Sequence, residues 1–228
     1  MTLAQLLFSQ GFGTRRECAG LIAAGAVSIG GQVRDDPHEE LEVEGLEFVV
    51  GGEAWPYRER ALLVMNKPPG HECSQKPRHH PSVYSLLPMP LRRRGVQAVG
   101  RLDEDTTGVL LFTDDGQLIH RLTSPRHHVA KVYEVHCVHE VEDAQLARLR
   151  EGVVLHDDPD PVRARHCEVT GPSSLRLTLV EGKYHQVKRM IAAAGNRVQA
   201  LHRSAFGAVR VDDLAPGAWR WVDEEVAP

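Results

Sequence analysis

The sequence lacks the features that mark membrane proteins, secreted proteins and zinc proteins. No apolar run reaches the length of a transmembrane helix, and the start has no basic region before an apolar stretch. The four cysteines are widely spaced and form no C-x-x-C pair, so neither a zinc site nor a disulfide framework is indicated. We therefore expect a cytoplasmic protein with reduced thiols, no bound metal and no membrane contact.

The sequence also lacks the net positive charge that is common in proteins that bind nucleic acids. Its formal net charge is −4, whereas contacts to phosphates depend on Lys and Arg. The charges are unevenly distributed, however. Residues 61–135 contain ten basic and seven acidic side chains, while residues 1–60 contain five basic and ten acidic ones. The global charge therefore leaves room for a local basic groove in the middle of the chain.

The first fifty residues predict two short helices followed by a hairpin. Leu3, Leu6 and Leu7 have the spacing of one helical face. Thr14 followed by Glu17 forms a capping-box pattern that predicts the start of a second helix. Apolar and polar residues then alternate as in a strand, and paired glycines indicate the turn to the next strand.

This helix–helix–hairpin order resembles the S4 RNA-binding domain, over residues 1–50. The resemblance implies that Arg15 and Arg16, at the start of the second helix, face RNA. A small helical cap on a larger domain is the alternative interpretation. Residues 51–60 follow with paired glycines and a proline, a composition typical of a linker.

The rest of the chain, residues 61–228, predicts a second and larger domain. Apolar runs indicate strands, and periodic segments between some of them indicate helices. Strands are predicted at 61–65, 108–113, 129–138 and 175–180, and helices at 117–122, 143–150 and 185–194. Residues 71–95 are rich in Pro, His and Arg and predict loops. Because helices and strands do not alternate strictly, we expect an α+β fold with a mixed, largely antiparallel sheet flanked by helices.

The most informative segment is the acid-rich loop and strand at residues 100–116. A calcium loop is one interpretation, since Asp103, Asp105 and Asp114 fall near the expected ligand positions, but Leu111 supplies no side-chain oxygen and a strand replaces the exiting helix. A second interpretation takes Asp103 and Asp105 as the acid and base of a glycosidase. In either case a rigid strand would fix the direction of the loop's side chains.

A third interpretation rests on the string Gly100-Arg101-Leu102-Asp103, with Thr107 to Gly116 after it, which resembles the signature block of the pseudouridine synthases. These enzymes use no cofactor. They break the C1′–N1 bond of a uridine, rotate the base and rejoin it through C5. The resemblance implies that Asp103 is the catalytic carboxylate and that Arg101 enters the RNA stack when the target nucleotide is flipped out.

Two further segments resemble motifs of the same family, in the family's order. Lys131-Val132-Tyr133 resembles a strand whose tyrosine packs against the uracil, and Glu181 to Met190 resembles the last motif, in which Lys188 pairs with the catalytic carboxylate. Asn66 to Gly70 resembles a structural motif that borders the site, and Leu179 is a candidate for the apolar wall. The further candidates for contacts with RNA are Lys131, Arg189, Arg126 in the repeated Pro-Arg-His-His, and Arg92 to Arg94.

Within the family, the S4-like start and the string Gly182-Lys183-Tyr184-His185-Gln186 resemble the RsuA-type branch. That resemblance implies conversion of one uridine of 16S ribosomal RNA, position 516, to pseudouridine. The partner would be this RNA or an assembling small subunit, and we expect a monomer without cofactor or metal. An enzyme of the same family acting on 23S ribosomal RNA, and a non-catalytic RNA-binding protein, are the alternatives.

Overall fold

The structure is a computed structural model that describes residues 1–156 and 158–223. The predicted second domain extends to residue 228, so residue 157 and residues 224–228 of it lie outside the described part. The chain forms two compact units. The first consists of residues 1–61 and 87–97, and the second of residues 62–86 and 98–228.

The first unit contains the two helices and the hairpin that the sequence predicts. Both helices begin with a capping box, at Thr2 with Gln5 and at Thr14 with Glu17, which satisfies backbone donors that the helix itself leaves free. The strands form one sheet in the order β2-β1-β3-β4, with every pair antiparallel. The elements are α1 (Leu3–Ser9), α2 (Arg15–Ala23), β1 (Val27–Ile29), β2 (Gln32–Val33), β3 (Glu47–Val50) and β4 (Glu53–Pro56).

Two segments of this unit differ from the expectation. Residues 51–60, predicted as a linker, contain the turn and β4, because the paired glycines reverse the chain and β4 pairs with β3. Helix α3 (Met89–Arg94) lies in the segment predicted as loops of the second domain. Arg94 donates to Gln10 Oε1 at 2.7 Å and to the carbonyl of Glu59 at 2.7 Å, which fixes α3 within the first unit.

The second unit is built on a mixed sheet whose strands follow the order β11-β12-β8-β13-β7-β5-β15. Only the pairing of β13 with β7 is parallel among these neighbours, in the part of the chain described. The predicted α+β class is therefore confirmed. The strands on this path are β5 (Leu62–Lys67), β7 (Thr107–Thr113), β8 (Lys131–Cys137), β11 (His166–Gly171), β12 (Ser174–Leu179), β13 (Val198–Phe206) and β15 (Trp219–Trp221).

Shorter strands and three helices complete this unit. Strand β14 pairs with the end of β13, and β9 with β10 forms a separate hairpin. The remaining elements are α4 (Gly116–Thr123), α5 (Asp143–Glu151), α6 (Gln186–Ala193), β9 (Val153–Leu155), β10 (Asp158–Val162) and β14 (Val209–Arg210), with β6 (Gln97–Ala98) at the border of the two units in sequence. No helix among the described residues is long and apolar enough to cross a membrane.

The core of the second unit lies between the sheet and α4. Its buried side chains are mostly Val and Leu, which come from β5, β7, α4 and β14 and from the segments beside them. Val109 and Leu111 of β7 are almost fully buried there. This packing fixes β7, and with it the acid-rich loop that leads into the strand.

Gly108 lets β13 approach β7 closely. Its φ is +103°, and a Cβ atom at this position would lie 2.2 Å from the carbonyl oxygen of Arg203. An L side chain would be both strained and in collision with the neighbouring backbone. The glycine thus allows the parallel contact that joins the two strands bordering the site.

Candidate active site

Asp103 lies in a tight turn immediately before β7. The amide of Thr106 donates to the carbonyl of Asp103 at 3.1 Å, and the side chain of Asp103 is about one quarter exposed. A hydrogen bond closes the turn, and the buried strand β7 follows it directly, so the carboxylate has a defined position.

Lys67, at the end of β5, holds this turn in place through hydrogen bonds to its backbone. Its side chain is fully buried, and Nζ donates to the carbonyls of Pro68, Glu104 and Thr106 at 3.1, 3.0 and 2.9 Å. Burial lowers the pKa of this ammonium. Lys67 belongs to the segment Asn66 to Gly70, which the sequence indicated as structural. Its task is to hold the backbone on either side of Asp105.

Lys188, in the first part of α6, binds two carboxylates. Its Nζ atom lies 3.1 Å from Oδ2 of Asp103 and 2.6 and 2.8 Å from the two oxygens of Asp105. The pairing of Lys188 with Asp103 agrees with the family motif. The contact of Lys188 with Asp105 was not predicted from the sequence. Because the turn brings both carboxylates to one side, a single ammonium contacts both.

The electrostatics of Lys188 and Asp105 follow from this contact. Burial of the ammonium lowers the pKa of Lys188, but its hydrogen bonds to Asp105 and Asp103 outweigh burial, and the pKa lies above its ordinary value. Burial raises the pKa of Asp105, and the hydrogen bond and charge of Lys188 bring it below the usual range. An ammonium thus occupies the place between the carboxylates that a calcium ion would need.

His185 is a second neighbour of the catalytic candidate. Its Nε2 atom lies 3.1 Å from Oδ1 of Asp103, so the two oxygens of this carboxylate face different partners. His185 immediately precedes α6 and has a φ of +46°, and its ring stacks on that of Tyr184 at 3.8 Å. A non-glycine residue in this conformation is uncommon and here directs the imidazole toward Asp103.

These groups open into a cavity of about 130 Å³, called the Asp103 cavity below. Tyr133 of β8 and Leu179 of β12 form part of its wall and are buried. Arg101, which is exposed, also lines the cavity. The cavity thus brings together a carboxylate, an ammonium, a phenol ring and an apolar wall, which are the groups that the sequence singled out for one reaction.

Comparisons with known proteins identify the family of this chain. The sequence pattern of the RNA pseudouridylate synthase family matches residues 61–193, more than half of the chain, and that of the S4 domain matches residues 1–46. The chain belongs to the RNA pseudouridylate synthase family. It is therefore an isomerase that acts on RNA, and its S4 domain is an RNA-binding module.

The sequences of known relatives align with most of the length of this synthase. The ribosomal small subunit pseudouridine synthase A of Salmonella typhimurium is 48% identical over 164 residues, which cover 72% of this chain and 71% of that protein. An uncharacterised RNA pseudouridine synthase of Bacillus subtilis is 40% identical over 229 aligned positions, with 99% of this chain and 96% of that protein covered. A crystal structure of a pseudouridylate synthase, 35% identical, superposes with a TM-score of 0.69 and coverage of 99% and 98%.

A wider groove of about 630 Å³ continues outward from the Asp103 cavity of the synthase. On one side it is lined by a loop in which the carboxylate of Glu72 accepts hydrogen bonds from the amides of Arg78, His79 and His80 at 2.8–3.1 Å. These backbone hydrogen bonds lower the pKa of Glu72 to about 2. The first of the two Pro-Arg-His-His segments is therefore held in a fixed conformation at the groove.

The remaining predicted RNA contacts of the synthase differ in their surroundings. Arg15 and Arg16 are exposed on α2, with the Arg15 guanidinium 4.8 Å above the ring of Phe8. Arg126 is exposed in the turn after α4, and Arg189 donates to the carbonyl of Tyr184 at 3.0 Å. Lys131 is only 8% exposed and lines the Asp103 cavity, so its position differs from that of a surface phosphate contact.

The basic run on α3 also has local partners. Arg93 contacts the carboxylate of Glu17 at 3.2 Å, and Arg94 binds Gln10 and the Glu59 carbonyl. Both side chains therefore stabilise the first unit. These local contacts weaken the case for a phosphate-binding patch on α3.

Sequence reasoning missed the direct roles of His185 and Arg203 near Asp103. His185 lies in the last motif that it had matched, whereas Arg203 lies on β13, outside the motifs that it assigned to the site. Arg203 is 2% exposed, lines the Asp103 cavity and donates from Nε to the carbonyl of Val109 at 2.8 Å. Its presence in a stretch of otherwise buried strand residues was the available signal.

Proposed function

We propose that this synthase modifies small-subunit ribosomal RNA and converts one uridine, position 516 of 16S ribosomal RNA, to pseudouridine. Relatives named for small-subunit activity support the proposal, with 36–48% identity to this chain. The observation that carries the catalytic part is the contact of Lys188 with Asp103 in a cavity that Tyr133 also lines.

The two units suggest a division of tasks. The first unit, residues 1–61 and 87–97, would bind RNA through the exposed Arg15 and Arg16, and the second unit, which contains the Asp103 cavity, would carry out the reaction. Because ribosomal RNA is the proposed substrate, the synthase would work in the cytoplasm, on free RNA or on an assembling subunit. It would act as a monomer.

The reaction assigns a task to each group in the Asp103 cavity. Asp103 either bonds to C1′ or removes the proton from C2′, and in both cases the C1′–N1 bond breaks with its electron pair on the base. Lys188 supplies the positive charge beside Asp103. Tyr133 packs against the uracil and assists removal of the proton from C5 after the base has rotated and C5 has bonded to C1′.

Flipping the target nucleotide requires groups at the mouth of the Asp103 cavity. Arg101 is exposed there and would take the place of the extruded base in the RNA stack, which offsets part of the unstacking cost. Arg126 and Arg189 would bind backbone phosphates near the target. Lys131 would contact the flipped nucleotide rather than the backbone, since it is buried in the cavity wall.

Release of tritium from RNA labelled at C5 of uridine tests the proposal. The wild-type synthase should release tritium from a 16S ribosomal RNA transcript and not from a 23S transcript. Asp103→Asn should abolish release while the dissociation constant for the 16S transcript stays within about threefold of wild type, since the shape of the side chain is kept and only its charge is lost. Circular dichroism checks that the variant is folded.

Each result separates the proposal from an alternative. Release from the 23S transcript alone would assign the synthase to large-subunit RNA. RNA binding without release from any transcript would indicate a binding protein with an inactive synthase fold. Full activity of Asp103→Asn would remove Asp103 from the reaction. Sequencing of pseudouridine positions in cells with and without the gene then identifies the uridine.

A further inference from the structure

Two buried cations lie together at the Asp103 cavity, and the bond-breaking and bond-forming steps described so far assign a chemical task to neither. Lys131 begins β8 and Arg203 lies on β13, which is paired with β8. They are 8% and 2% exposed. Both line the same cavity as Asp103 and Tyr133. Two positive charges therefore share a small cavity.

Neither cation pairs with a carboxylate among the residues that the structure describes. Lys131 Nζ donates to the carbonyl of Val129 at 3.1 Å, and Arg203 Nε donates to the carbonyl of Val109 at 2.8 Å. Arg203 Nη2 is buried and has no hydrogen-bond partner in the described part of the chain. Both groups also lie near the ring of Phe206, at 5.2 and 5.3 Å from its centre.

Such an arrangement is costly unless a ligand completes it. A buried charge loses its hydration, and a ring face and single carbonyls replace only part of it. A second cation nearby adds repulsion. Donors that remain free in a cavity are suited to bind an anion or a polarised carbonyl oxygen, because such a ligand supplies both the acceptor and the opposite charge.

We propose that Lys131 and Arg203 form an anion site that binds the carbonyl oxygens of the uracil and stabilises the negative charge of the ring after the C1′–N1 bond has broken. The proposal rests on the pseudouridine synthase reaction at Asp103 and adds two catalytic residues to it.

The charge balance of the reaction supplies the anion for such a site. When the C1′–N1 bond breaks, its electron pair remains on N1 and is shared with O2 and O4 through the conjugated ring. The sugar either bonds to the Asp103 carboxylate or, having given its C2′ proton to Asp103, becomes an unsaturated ring. In both routes the detached base is an anion.

The anion persists only until the base is rejoined. When C5 bonds to C1′, either the Asp103–C1′ bond breaks or Asp103 returns its proton to C2′. The C5 proton then leaves and N1 gains a proton, so the base is neutral again. Lys131 and Arg203 therefore stabilise the detached base more strongly than the bound uridine, which is the condition for accelerating the bond cleavage.

The position of the two cations argues against a contact with the RNA backbone. A phosphodiester would have to enter the Asp103 cavity to reach side chains that are more than nine-tenths buried. The flipped base is the part of the nucleotide that enters this cavity in the proposed reaction. Its oxygens O2 and O4 are the acceptors available to Lys131 and Arg203.

Binding of free bases tests the anion site without RNA and without turnover. 5-Nitrouracil is an anion at neutral pH because the nitro group acidifies the ring, whereas uracil is neutral. Calorimetry with the full-length synthase should show that 5-nitrouracil binds at least about tenfold more tightly than uracil, since one unit of charge is stabilised. Lys131→Met should abolish this preference.

Lys76→Met is the matched control, because Lys76 is exposed and the change removes the same charge. It should keep the preference for 5-nitrouracil. Equal affinity of the wild type for the two bases would overturn the anion site, and so would an unchanged preference in Lys131→Met.

The pH dependence of the wild type provides a second measurement that needs no variant. Burial and the nearby Arg203 lower the pKa of Lys131 to about 8. Affinity for 5-nitrouracil should therefore fall as the pH rises above that value, and affinity for uracil should not. The pKa of Lys188 is raised, so it keeps its charge there. The other charged or titratable side chains that line the cavity are Arg101, Asp103, Tyr133, Glu181, Lys183, His185 and Arg203.

Turnover links the site to the reaction. Lys131→Met should lower the single-turnover rate of tritium release at least about 100-fold, as for the loss of one donor to a developing anion. Affinity for RNA should change far less than the rate, because backbone contacts elsewhere are kept. Lys131→Arg should recover part of the rate. If the wild type releases no tritium from any RNA, the proposed function fails, whereas an unimpaired Lys131→Met overturns this inference alone.

Discussion

Nζ of Lys188 lies 2.6 and 2.8 Å from the two carboxylate oxygens of Asp105. The same ammonium lies 3.1 Å from Asp103. Lys188 is thus shared by two carboxylates, of which only Asp103 has His185 as a second neighbour. The two carboxylates stand two positions apart in one turn, which makes them a matched pair for mutation.

Asp103→Asn and Asp105→Asn should have very different effects. The first removes the proposed catalytic carboxylate, and activity should be lost. The second removes the competing partner of Lys188, so the rate of tritium release should change less than about tenfold, since a hydrogen bond to a charged group contributes about 1.5–3 kcal/mol and only part of it acts on the transition state. Equal losses in both variants would contradict this distinction.

Lys67→Met should weaken both the fold and the reaction. It removes one donor from three backbone carbonyls, of which that of Glu104 keeps the Gly70 amide as a second donor, and this should lower the free energy of unfolding by about 2–4 kcal/mol. The turn that contains Asp103 should also become less rigid, so the single-turnover rate should fall. Urea denaturation and tritium release measure the two effects, and Lys76→Met, at an exposed position, should change stability by less than about 0.5 kcal/mol.

Lys131→Met should stabilise the synthase while it impairs the reaction. The pKa of Lys131 is lowered to about 8 from 10.5, so the folded state disfavours the proton. The penalty is complete below pH 8 and disappears as the pH rises toward 10.5, because the folded protein then releases a proton that the unfolded chain still holds.

The size of this effect follows from the same shift in the pKa. At pH 7 the variant should be more stable than the wild type by an amount on the order of 2–3 kcal/mol, and the difference should shrink by pH 10. Urea denaturation at both pH values measures it. A variant that is less stable than the wild type at pH 7 would show that Lys131 supports the fold.

Gly108→Ala should be strongly destabilising. The added Cβ atom would lie 2.2 Å from the carbonyl oxygen of Arg203, and φ at this position is +103°. We expect a loss of more than about 3 kcal/mol in the free energy of unfolding, because both strain and collision act. Gly116→Ala is the control. Gly116 begins α4 with open space around it, so its replacement should be neutral or stabilising by up to about 1 kcal/mol.

The local elements of this fold could be predicted from the sequence where a pattern was complete. The leucine spacing predicted α1 and the capping box predicted α2, and alternating or continuous apolar residues predicted β5, β7 and β8. Strand β4 was missed because the paired glycines before it resemble a linker, although they form a hairpin turn.

The candidate site could be predicted in part. The motifs identified Asp103, Tyr133 and Lys188, but Lys188 and Asp105 are 83 positions apart, and their contact depends on the order of strands in the sheet. Burial of Lys131 could not be predicted either, since an isolated lysine in a strand gives no sign of which face it occupies. The pairing of β13 with β7 determines where Arg203 lies.

Helix α3 has a consequence for how the chain folds during synthesis. The first unit consists of residues 1–61 and 87–97, so its last helix is translated only after β5 and the following loop have emerged. Arg94 cannot reach Gln10 and Glu59 before that point. The first unit therefore cannot complete its fold before residues 87–97 have been synthesised. A single proteolytic cut near residue 60 would also place α3 on a different fragment from the residues it binds.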